Sequence, residues 1–302
     1  EKGKMGGDCL NTGCVPSKAL IRSARAADTL RHANRYGLES VPVKGSFNNI
    51  MNRVREVIAK VEPHDSPERY RKLGVDCIAG EASFVSPWEL EVRHNDGRTE
   101  RLTAHSIVVA TGGKPAVPPI PGLKDMEPLT SDNLWELQEQ PERLLVLGGG
   151  PIGSELAHAF ARLGSKVTQV EMGERLLAKE DEDVSELVLK QFQADGVDVR
   201  LKHAAAEFRI EEGEKVAYCE HEGERVRIPF DQVLVAVGRA ANTAGLNLER
   251  IGVDTLPNGT VPVEEDMSLR YPNVFACGDV AGPYQFTHAA AHQAWYAAVN
   301  GL

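Results

Sequence analysis

The sequence has no excess of positive charge, no long apolar run and few aromatic residues. Its 34 Lys and Arg are outnumbered by 44 Asp and Glu, which gives a net charge of -10. A surface for nucleic acid or for an anionic membrane is therefore not expected. No apolar stretch reaches the length of a membrane span. The five cysteines are an odd number, which argues against a secreted disulfide scaffold. These absences favour a cytoplasmic protein that acts on small molecules or on other proteins.

The composition is that of a globular chain. Apolar residues make up 42% of the 302 residues and charged residues 26%, so the chain is long enough for about two domains with separate cores. The first residue is Glu rather than Met, and no apolar signal region follows it. We therefore expect the sequence to be a fragment of a longer protein.

The apolar pattern predicts a parallel, doubly wound sheet after a proline-rich linker at 114–122. Residues 143–147 and 166–171 are predicted strands on either side of a predicted helix at 152–163, which makes a βαβ unit. Asn95-Asp96-Gly97 predicts a hairpin turn. Further helices are predicted over 17–32, 48–61, 183–194 and 287–299, and further strands over 75–78, 84–85, 90–93, 99–102, 106–110, 197–201 and 232–237.

A glycine-rich turn lies between a predicted strand and a predicted helix. Gly148, Gly150 and Gly153 fit the G-x-G-x-x-G pattern, whose glycines allow a sharp turn, the approach of a pyrophosphate and close helix packing. Glu171 ends the next strand, where a carboxylate binds the ribose hydroxyls of NAD and repels a 2′-phosphate. The pattern predicts an NAD(H) site that favours NADH, although Arg175 could reach a phosphate. A glycine-rich turn without a ligand is the alternative.

Two cysteines, Cys9 and Cys14, lie five residues apart at the start of a predicted helix. In a regular helix this spacing would hold their Cα atoms beyond the limit of about 7 Å for a disulfide, so an irregular turn at Gly13 is expected. The positive end of the helix and nearby Lys18 favour a reactive thiolate. Two inert cysteines, or half of a metal site, are the alternatives. We predict no metal site, because no second pair has ligand spacing.

The segment from Gly6 to Lys18 resembles the active-site signature of the flavin-dependent pyridine nucleotide-disulfide oxidoreductases, the family of dihydrolipoyl dehydrogenase, glutathione reductase and mercuric reductase. The resemblance implies an enzyme of the dihydrolipoyl dehydrogenase type that passes electrons between NADH, FAD and a redox-active disulfide, Cys9-Cys14. Further matching segments follow in the family's order: Ala110-Thr111-Gly112, Gly148 to Glu155, Gly238-Arg239, Asn242-Thr243, Cys277-Gly278-Asp279 and Phe286 to Ala289.

The same resemblance implies an α/β fold of two Rossmann-like, three-layer domains. Residues 1–113 and 241–302 would form the FAD-binding domain, and residues 114–240 the NAD(P)-binding domain inserted in it. The family's first glycine-rich turn, which holds the FAD pyrophosphate, and its C-terminal dimerisation domain have no counterpart in the sequence. We therefore expect weak FAD binding by this chain and a homodimer in the full-length protein.

The resemblance also assigns roles to individual residues. Cys14 would face the flavin, and Cys9 would be the interchange thiol that attacks the substrate. Lys18 would lie beside the flavin N5 with Glu155 as its partner, since a buried ammonium needs a counter-ion. The four catalytic candidates are Cys9, Cys14, Lys18 and Glu155.

Cofactor contacts follow from the same resemblance. Asp279 would bind the FAD ribityl chain, Glu1 the adenosine ribose, and the helix that opens near His288 would direct its amides at the flavin pyrimidine edge. The FAD candidates are Glu1, Gly7, Lys18, Ala82, Thr111, Gly112, Asp279, Phe286, Thr287 and His288. The NAD candidates are Gly148, Gly150, Pro151, Ile152, Gly153, Glu171 and Gly238.

Three alternatives to the dihydrolipoyl dehydrogenase type stay open. Val15 and the segment 21–24 are somewhat similar to the mercuric reductase branch, whose substrate is Hg(II). A simple NAD-dependent dehydrogenase would leave the cysteine segment unexplained. A dinucleotide-binding fragment without catalysis is the third alternative. Asp8 stands where many members of the family have Thr, and Ala241 where many have Pro.

Overall fold

The computed structural model describes residues 1–302. The helices are α1 (Gly7–Asn11), α2 (Cys14–Arg31), α3 (Phe47–Val61), α4 (Pro67–Lys72), α5 (Pro151–Leu163), α6 (Glu182–Ala194) and α7 (Thr287–Gly301). The strands are β1 (Gly80–Ser86), β2 (Glu89–His94), β3 (Thr99–Thr103), β4 (Ile107–Val109), β5 (Gly113–Pro115), β6 (Arg143–Leu147), β7 (Lys166–Glu171), β8 (Asp198–Leu201), β9 (Ala204–Glu211), β10 (Glu214–His221), β11 (Glu224–Phe230), β12 (Gln232–Val235), β13 (Arg239–Ala241) and β14 (Val274–Ala276). Short 3₁₀ helices lie at Ala33–Tyr36, Glu62–Asp65, Lys124–Met126, Leu134–Glu136, Leu248–Ile251 and Gly278–Val280.

The chain divides into two compact units. The first unit comprises Glu1–Cys9, Glu62–Lys114 and Arg239–Leu302, and the second comprises Leu10–Val61 and Pro115–Gly238. The unit borders at 114/115 and 238/239 lie close to the predicted domain borders. Residues 10–61 pack with the second unit, although the resemblance places them in the FAD-binding domain. The assignment of each domain to a cofactor stays a prediction.

A four-stranded parallel sheet in the order β12-β6-β7-β8 forms the centre of the second unit. Four consecutive residues of β6, Leu144 to Leu147, are at most 2% exposed. A strand buried on both faces needs such a continuous apolar run. The predicted βαβ unit is confirmed, because β6, α5 and β7 begin and end within one residue of the predicted bounds.

The first helices of the second unit pack beside the parallel sheet. Along α2, the buried residues Leu20, Ala24 and Ala27 recur at the three- and four-residue spacing of one helix face. Leu20 and Ala24 belong to a cluster that includes Met51 of α3, and the ring of Phe160 on α5 lies 5.8 Å from that of Phe47. This packing sets α2 and α5 side by side.

An antiparallel sheet in the order β11-β10-β9 covers one part of the second unit. Its inner face packs Phe208, Ala217 and Phe230 into a cluster with Leu145 and Leu147 of β6. Its outer face carries charges that pair along and across the strands, which we name the ionic ladder. The ladder consists of Glu207 with Arg209 and Arg225, and of Arg227 with Glu211 and Glu214.

The first unit has an antiparallel sheet, β1-β2-β3, and a parallel pair of strands, β14 and β4. The predicted hairpin turn is present, with Gly97 at φ +88°. A further short pair joins β5 and β13. The apolar core contains Phe84, Ile107, Ile251 and Val274. No helix in either unit combines the length and the apolar character needed to cross a membrane.

The strand predicted over 75–78 is wrong. Residues 75–79 have no regular secondary structure, and Val75 is 48% exposed. Isolated hydrogen bonds reach the segment from different residues: the Glu1 terminal ammonium donates to the Ile78 carbonyl at 3.1 Å, and the Asn95 amide donates to the Ala79 carbonyl at 3.0 Å. Such isolated bonds do not make a ladder.

Candidate nucleotide and redox sites

The glycine-rich turn has the geometry that its three glycines predict. Gly148 has φ +109°, and a Cβ there would collide with the Ala236 carbonyl oxygen. A Cβ on Gly153 would collide with the Gly148 carbonyl oxygen. Gly150, the N-cap of α5, would place a Cβ in open space. Two glycines therefore serve packing, whereas Gly150 leaves room for a ligand at the helix N-terminus.

Two buried polar side chains, Gln169 and Ser154, hydrogen-bond to the backbone of this turn, and the sequence analysis did not identify them. Gln169 of β7 is 0% exposed and donates to the Gly148 carbonyl at 3.0 Å and to Ser154 Oγ at 3.3 Å. Ser154 Oγ in turn donates to the Gly149 carbonyl at 3.2 Å. The only sequence signal is a polar residue between two valines of a predicted strand, Val167 and Val170. These bonds fix the direction of the turn's carbonyl groups.

Glu171 closes the other side of the turn. One carboxylate oxygen accepts from the Gly149 amide at 2.5 Å and the other from the Gly173 amide at 2.7 Å. Each oxygen of a carboxylate has a further lone pair, so both can still accept from a hydroxyl group. The half-buried Glu171 thus holds the turn and keeps acceptors for a ribose.

The remaining NAD candidates are Pro151, Ile152 and Gly238. Pro151 and Ile152 begin α5, and the Ile152 side chain is 37% exposed. Gly238 is exposed at the end of the second unit, and its carbonyl accepts from the Ala116 amide at 3.0 Å. Arg175 donates to the Ala178 carbonyl at 3.0 Å within its own loop.

The two cysteines lie in consecutive helices. Helix α1 ends at Asn11 and α2 begins at Cys14, so the irregular turn expected from the spacing is present. Gly13 caps α2 with φ -114° and ψ -108°, outside the helical region. Cys9 is half-buried and Cys14 is exposed at the first position of α2. Their disulfide pairing stays a prediction.

Lys18 and Glu155 form an ion pair that joins α2 to α5. The Lys18 ammonium donates to both carboxylate oxygens of Glu155, at 2.7 and 2.6 Å. The two side chains are 60% and 42% exposed, and burial of the ammonium beside a flavin stays a prediction. Both residues lie in the first two turns of their helices, where solvent reaches them.

Asp279 belongs to an ion cluster in the first unit, and its centre, Arg239, was not assigned a role from the sequence. Arg239 Nε donates to Asp279 at 3.0 Å, and its Nη2 donates to the Gly113 carbonyl at 2.9 Å and also to Asp8. The Arg239 side chain is 13% exposed and that of Asp279 is 17% exposed. Asp8, which the sequence analysis noted as a departure from the family pattern, therefore has a charge partner in Arg239.

Thr111 and Gly112 are tied to Asn242 in the first unit. Thr111 Oγ1 donates to the Asn242 carbonyl at 2.7 Å, and Asn242 Nδ2 donates to the Thr111 carbonyl at 3.1 Å. The Asn242 amide donates to the Gly112 carbonyl at 2.9 Å. The two sequence segments that resembled family motifs thus contact each other.

The other FAD candidates of the first unit are exposed. Phe286 is the N-cap of α7 without a side-chain capping bond, and its ring stacks on that of His288 with centroids 5.8 Å apart. Thr287 is the first residue of that helix. Glu1, Gly7 and Ala82 are also exposed, and Glu1 accepts from the Gly3 amide at 2.8 Å.

The remaining cysteines do not resemble redox centres. Burial raises the pKa of Cys219 to about 11, and it also raises the pKa of Cys277. Both thiols therefore stay protonated at neutral pH and unreactive. Cys77 is half-buried, and its thiol faces the Pro67 and Val75 carbonyls at 3.8 Å.

No group of three or more His, Cys, Asp or Glu side chains is arranged to hold a metal ion.

Residues 3–294 match the family described as pyridine nucleotide-disulphide oxidoreductase. The chain belongs to this family. It is 35% identical over 300 residues to the dihydrolipoyl dehydrogenase of Bacillus subtilis, with 99% of this chain and 64% of that protein covered. It is 34% identical over 304 residues to the mercuric reductase of Streptomyces lividans, with 100% and 64% covered.

Solved structures of the family have the same α/β fold. LpdA from Mycobacterium tuberculosis superposes with a TM-score of 0.88 at 27% identity, covering 98% of this chain and 64% of that one. The HOCl-induced flavoprotein disulfide reductase RclA from Escherichia coli superposes with a TM-score of 0.81 at 29% identity, covering 97% and 62%. The chain thus spans less than two thirds of the length of these relatives.

Proposed function

We propose that the protein is a FAD-dependent, NADH-linked disulfide oxidoreductase of the dihydrolipoyl dehydrogenase type. One observation carries the proposal: the Lys18–Glu155 ion pair links the helix that starts at Cys14 to the helix that starts at the glycine-rich turn. A thiol at one helix start and a dinucleotide turn at the other are the two elements that such an enzyme must connect. In a simple NAD-dependent dehydrogenase, the cysteine segment would have no role in the reaction.

The residues of the second unit fit NAD(H). The open space at Gly150 and the amides at the start of α5 suit a pyrophosphate. Glu171 offers acceptors to ribose hydroxyls and opposes a 2′-phosphate, which favours NADH over NADPH. Hydrogen bonds from Gln169 and Ser154 hold the turn in this form.

The residues of the first unit fit FAD. Asp279 is held in one orientation by Arg239 and keeps acceptor capacity for a ribityl hydroxyl. The α7 N-terminus, which has no side-chain cap, presents amide groups where negative charge can be stabilised. When bound, FAD accepts a hydride from NADH and supplies two electrons to the disulfide. The role of Lys18 and Glu155 would be to set the charge beside that cofactor.

The two cysteines would carry the substrate half of the reaction. The Cys9 thiolate attacks a substrate disulfide, forms a mixed disulfide and releases the first substrate thiol. The Cys14 thiolate then attacks the Cys9 sulfur, which forms the Cys9–Cys14 bond and releases the second thiol. One dithiol and one substrate disulfide thus become one protein disulfide and two thiols.

The first experiment is a visible spectrum of the protein with added FAD, followed by anaerobic titration with NADH and, separately, NADPH. We expect a flavin spectrum that develops a long-wavelength thiolate–flavin band, at lower concentrations of NADH than of NADPH. Cys14→Ser should abolish the band and Cys9→Ser should keep it. The reverse pattern would exchange the two roles. Binding of NADH without any flavin binding would contradict the enzyme and favour a non-catalytic dinucleotide-binding chain.

A mercuric reductase-like enzyme is the second candidate. Relatives of that name are 33% to 35% identical to this chain. Soft thiolates such as those of Cys9 and Cys14 are suitable ligands for Hg(II). NADH-dependent release of mercury vapour from Hg(II), without reduction of lipoamide, would favour this candidate. Lipoamide reduction without mercury release would exclude it.

The assembly and location are part of the same proposal. We propose a homodimer for the whole protein, a small-molecule or protein-bound disulfide as its substrate, and a cytoplasmic role in redox homeostasis. The acidic charge balance supports partners other than nucleic acid or a membrane.

A further inference from the structure

Trp135 contacts the short segment between the two cysteines. Its side chain is 7% exposed, and its indole Nε1 donates to the Thr12 carbonyl at 3.0 Å and to the Ser131 carbonyl at 2.7 Å. Thr12 lies between the end of α1 and the start of α2. A single buried donor therefore connects the helix break to a distant part of the second unit.

The segment that carries Trp135 is fixed to the parallel sheet. The Leu129 amide donates to the Val233 carbonyl at 2.8 Å, and the Val235 amide donates to the Leu129 carbonyl at 2.8 Å. The Trp135 carbonyl accepts from Arg55 of α3 at 3.4 Å. These bonds connect the segment that carries Trp135 to β12 and to α3, so the indole does not lie on a free loop.

Thr12 does not hold the break with its own side chain. Its buried Oγ1 has no hydrogen-bond partner, so the hydroxyl forms no local turn. The restraint on this residue's backbone comes from the Trp135 indole instead.

We propose that Trp135 is a positioning residue that stabilises the Cys9–Cys14 disulfide relative to the dithiol. A continuous helix would hold residues five apart beyond the disulfide limit of about 7 Å, so the disulfide requires the break. The Trp135 N–H stabilises the break by binding the carbonyl within it. Pro16 has no N–H for the Thr12 carbonyl, so the indole supplies the donor that a helix cannot. Loss of this donor lets the segment move away from the geometry that the S–S bond needs in the dithiol, whereas the disulfide holds it there. This inference rests on the proposed function, in which the two cysteines form a redox couple.

The test is the redox equilibrium of the full chain with glutathione. In the reaction, Cys9 and Cys14 lose two electrons and two protons as their bond forms, and one glutathione disulfide takes them up to become two glutathione molecules. The fraction oxidised is measured by acid quenching, alkylation of thiols and mass spectrometry. In Trp135→Phe we expect the equilibrium constant for disulfide formation to fall about fivefold. This fall corresponds to a midpoint about 20 mV less negative.

Trp295→Phe is the matched control, because Trp295 is 61% exposed and lies in the other unit. Its midpoint should equal that of the unsubstituted protein. An unchanged midpoint in Trp135→Phe, or an equal shift in the control, would overturn the inference. If the unsubstituted protein forms no Cys9–Cys14 disulfide in any glutathione buffer, the proposed function itself fails.

A second measurement needs no substitution at Trp135. The sequence has three tryptophans, and Trp88, like Trp295, is exposed, so the Trp135 indole N–H signal can be assigned by NMR in Trp88→Phe and Trp295→Phe proteins. We expect this signal to move between the dithiol and the disulfide, since its acceptor lies between the two cysteines. The signals of Trp88 and Trp295 should stay in place. A Trp135 signal that does not move contradicts the inference even if Trp135→Phe fails to fold.

Discussion

The glycine-rich turn and the candidate flavin residues are built in different ways. In the second unit, Glu171, Gln169 and Ser154 all bond to the backbone of the turn. In the first unit, most flavin candidates are exposed, and the charged contacts centre on Arg239. The candidate nucleotide site is thus held by several hydrogen bonds, whereas the candidate flavin site depends on one cation. We expect the two to respond differently to substitution.

Arg239→Leu should have the largest effect on stability. Its removal leaves the carboxylates of Asp279 and Asp8 without their shared partner, and the loss of one member of a largely buried ion cluster costs about 3 kcal/mol. Urea unfolding followed by circular dichroism measures the change. FAD binding, followed by visible absorbance, should fall in the same variant while NADH binding is retained.

Arg93→Leu is the control for this comparison. Arg93 also pairs with a carboxylate in the first unit, Glu81, but its side chain is 71% exposed. Its loss should change stability far less. If the two variants unfold at the same urea concentration, the first unit does not depend on Arg239 as argued.

Gly153→Ala and Gly150→Ala separate the packing role of the turn from its binding role. A Cβ on Gly153 collides with the Gly148 carbonyl oxygen, so we expect a loss of about 2 kcal/mol in the free energy of unfolding. A Cβ on Gly150 meets nothing within 4 Å, so stability should stay within about 0.5 kcal/mol. NADH affinity should nevertheless fall at least about tenfold in Gly150→Ala, because the methyl group occupies the ligand's space. Unaltered NADH fluorescence titrations in that variant would show that no pyrophosphate lies there.

Asp195→Asn tests whether charge also stabilises α5, the helix that follows the glycine-rich turn. Asp195, which follows α6, is bound by His158 at 2.5 Å and by Arg162 at 2.9 Å, both on α5. Burial alone would raise the pKa of Asp195, but the His158 hydrogen bond and the Arg162 charge outweigh burial and lower it. We expect Asp195→Asn to lower the free energy of unfolding by about 1.5 kcal/mol at neutral pH.

The pH dependence of this effect has a definite sign. A lowered pKa in the folded state gives stabilisation that is complete above the unfolded pKa of about 3.9 and is lost as pH falls through the folded-state value. The contribution of the Asp195 charge to the difference between the two proteins should therefore be complete above about pH 5 and shrink in stronger acid. Glu186→Gln, in an exposed pair with Lys190, serves as the control. A difference that persists at the lowest pH would assign the effect to packing.

Lys18→Met should have the smallest effect on stability. The Lys18–Glu155 pair is exposed, and such pairs contribute less than about 1 kcal/mol. The thiolate–flavin band should nevertheless change, because the ammonium would set the charge beside the flavin. A large fall in unfolding temperature with an unchanged band would make the pair structural. That result would remove the observation on which the proposed function depends.

Local patterns of the sequence predicted the parallel sheet well. Strand β6 ends in a continuous apolar run directly before the glycines, and such a run determines the buried strand and the turn together. Helix α2 begins three residues earlier than predicted, because Pro16 is tolerated in the first turn of a helix. The strand predicted over 75–78 was wrong because its apolar residues have no neighbouring strand to pair with.

Contacts between distant residues could not be predicted in this way. Arg239 and Asp8 are separated by 231 positions in the sequence, and neither position indicates the other. Likewise, Gln169 is recognisable as polar, but its two acceptors depend on how the turn folds above it. The exposure of Lys18 could not be predicted, because it depends on which helix packs beside α2. The roles of these residues towards FAD and NAD(H) stay predictions.

The ionic ladder on the outer face of the β9–β10–β11 sheet also affects how the protein behaves at high concentration. Two flat sheets stack most readily when their outer faces are apolar and uncharged. Here Arg225 also lies 4.1 Å above the ring of Tyr218, so the ladder covers the aromatic group on that face. A second sheet could approach only by desolvating these charges, which opposes aggregation. Salt screens such exposed pairs, so resistance to aggregation through this face should weaken as ionic strength rises.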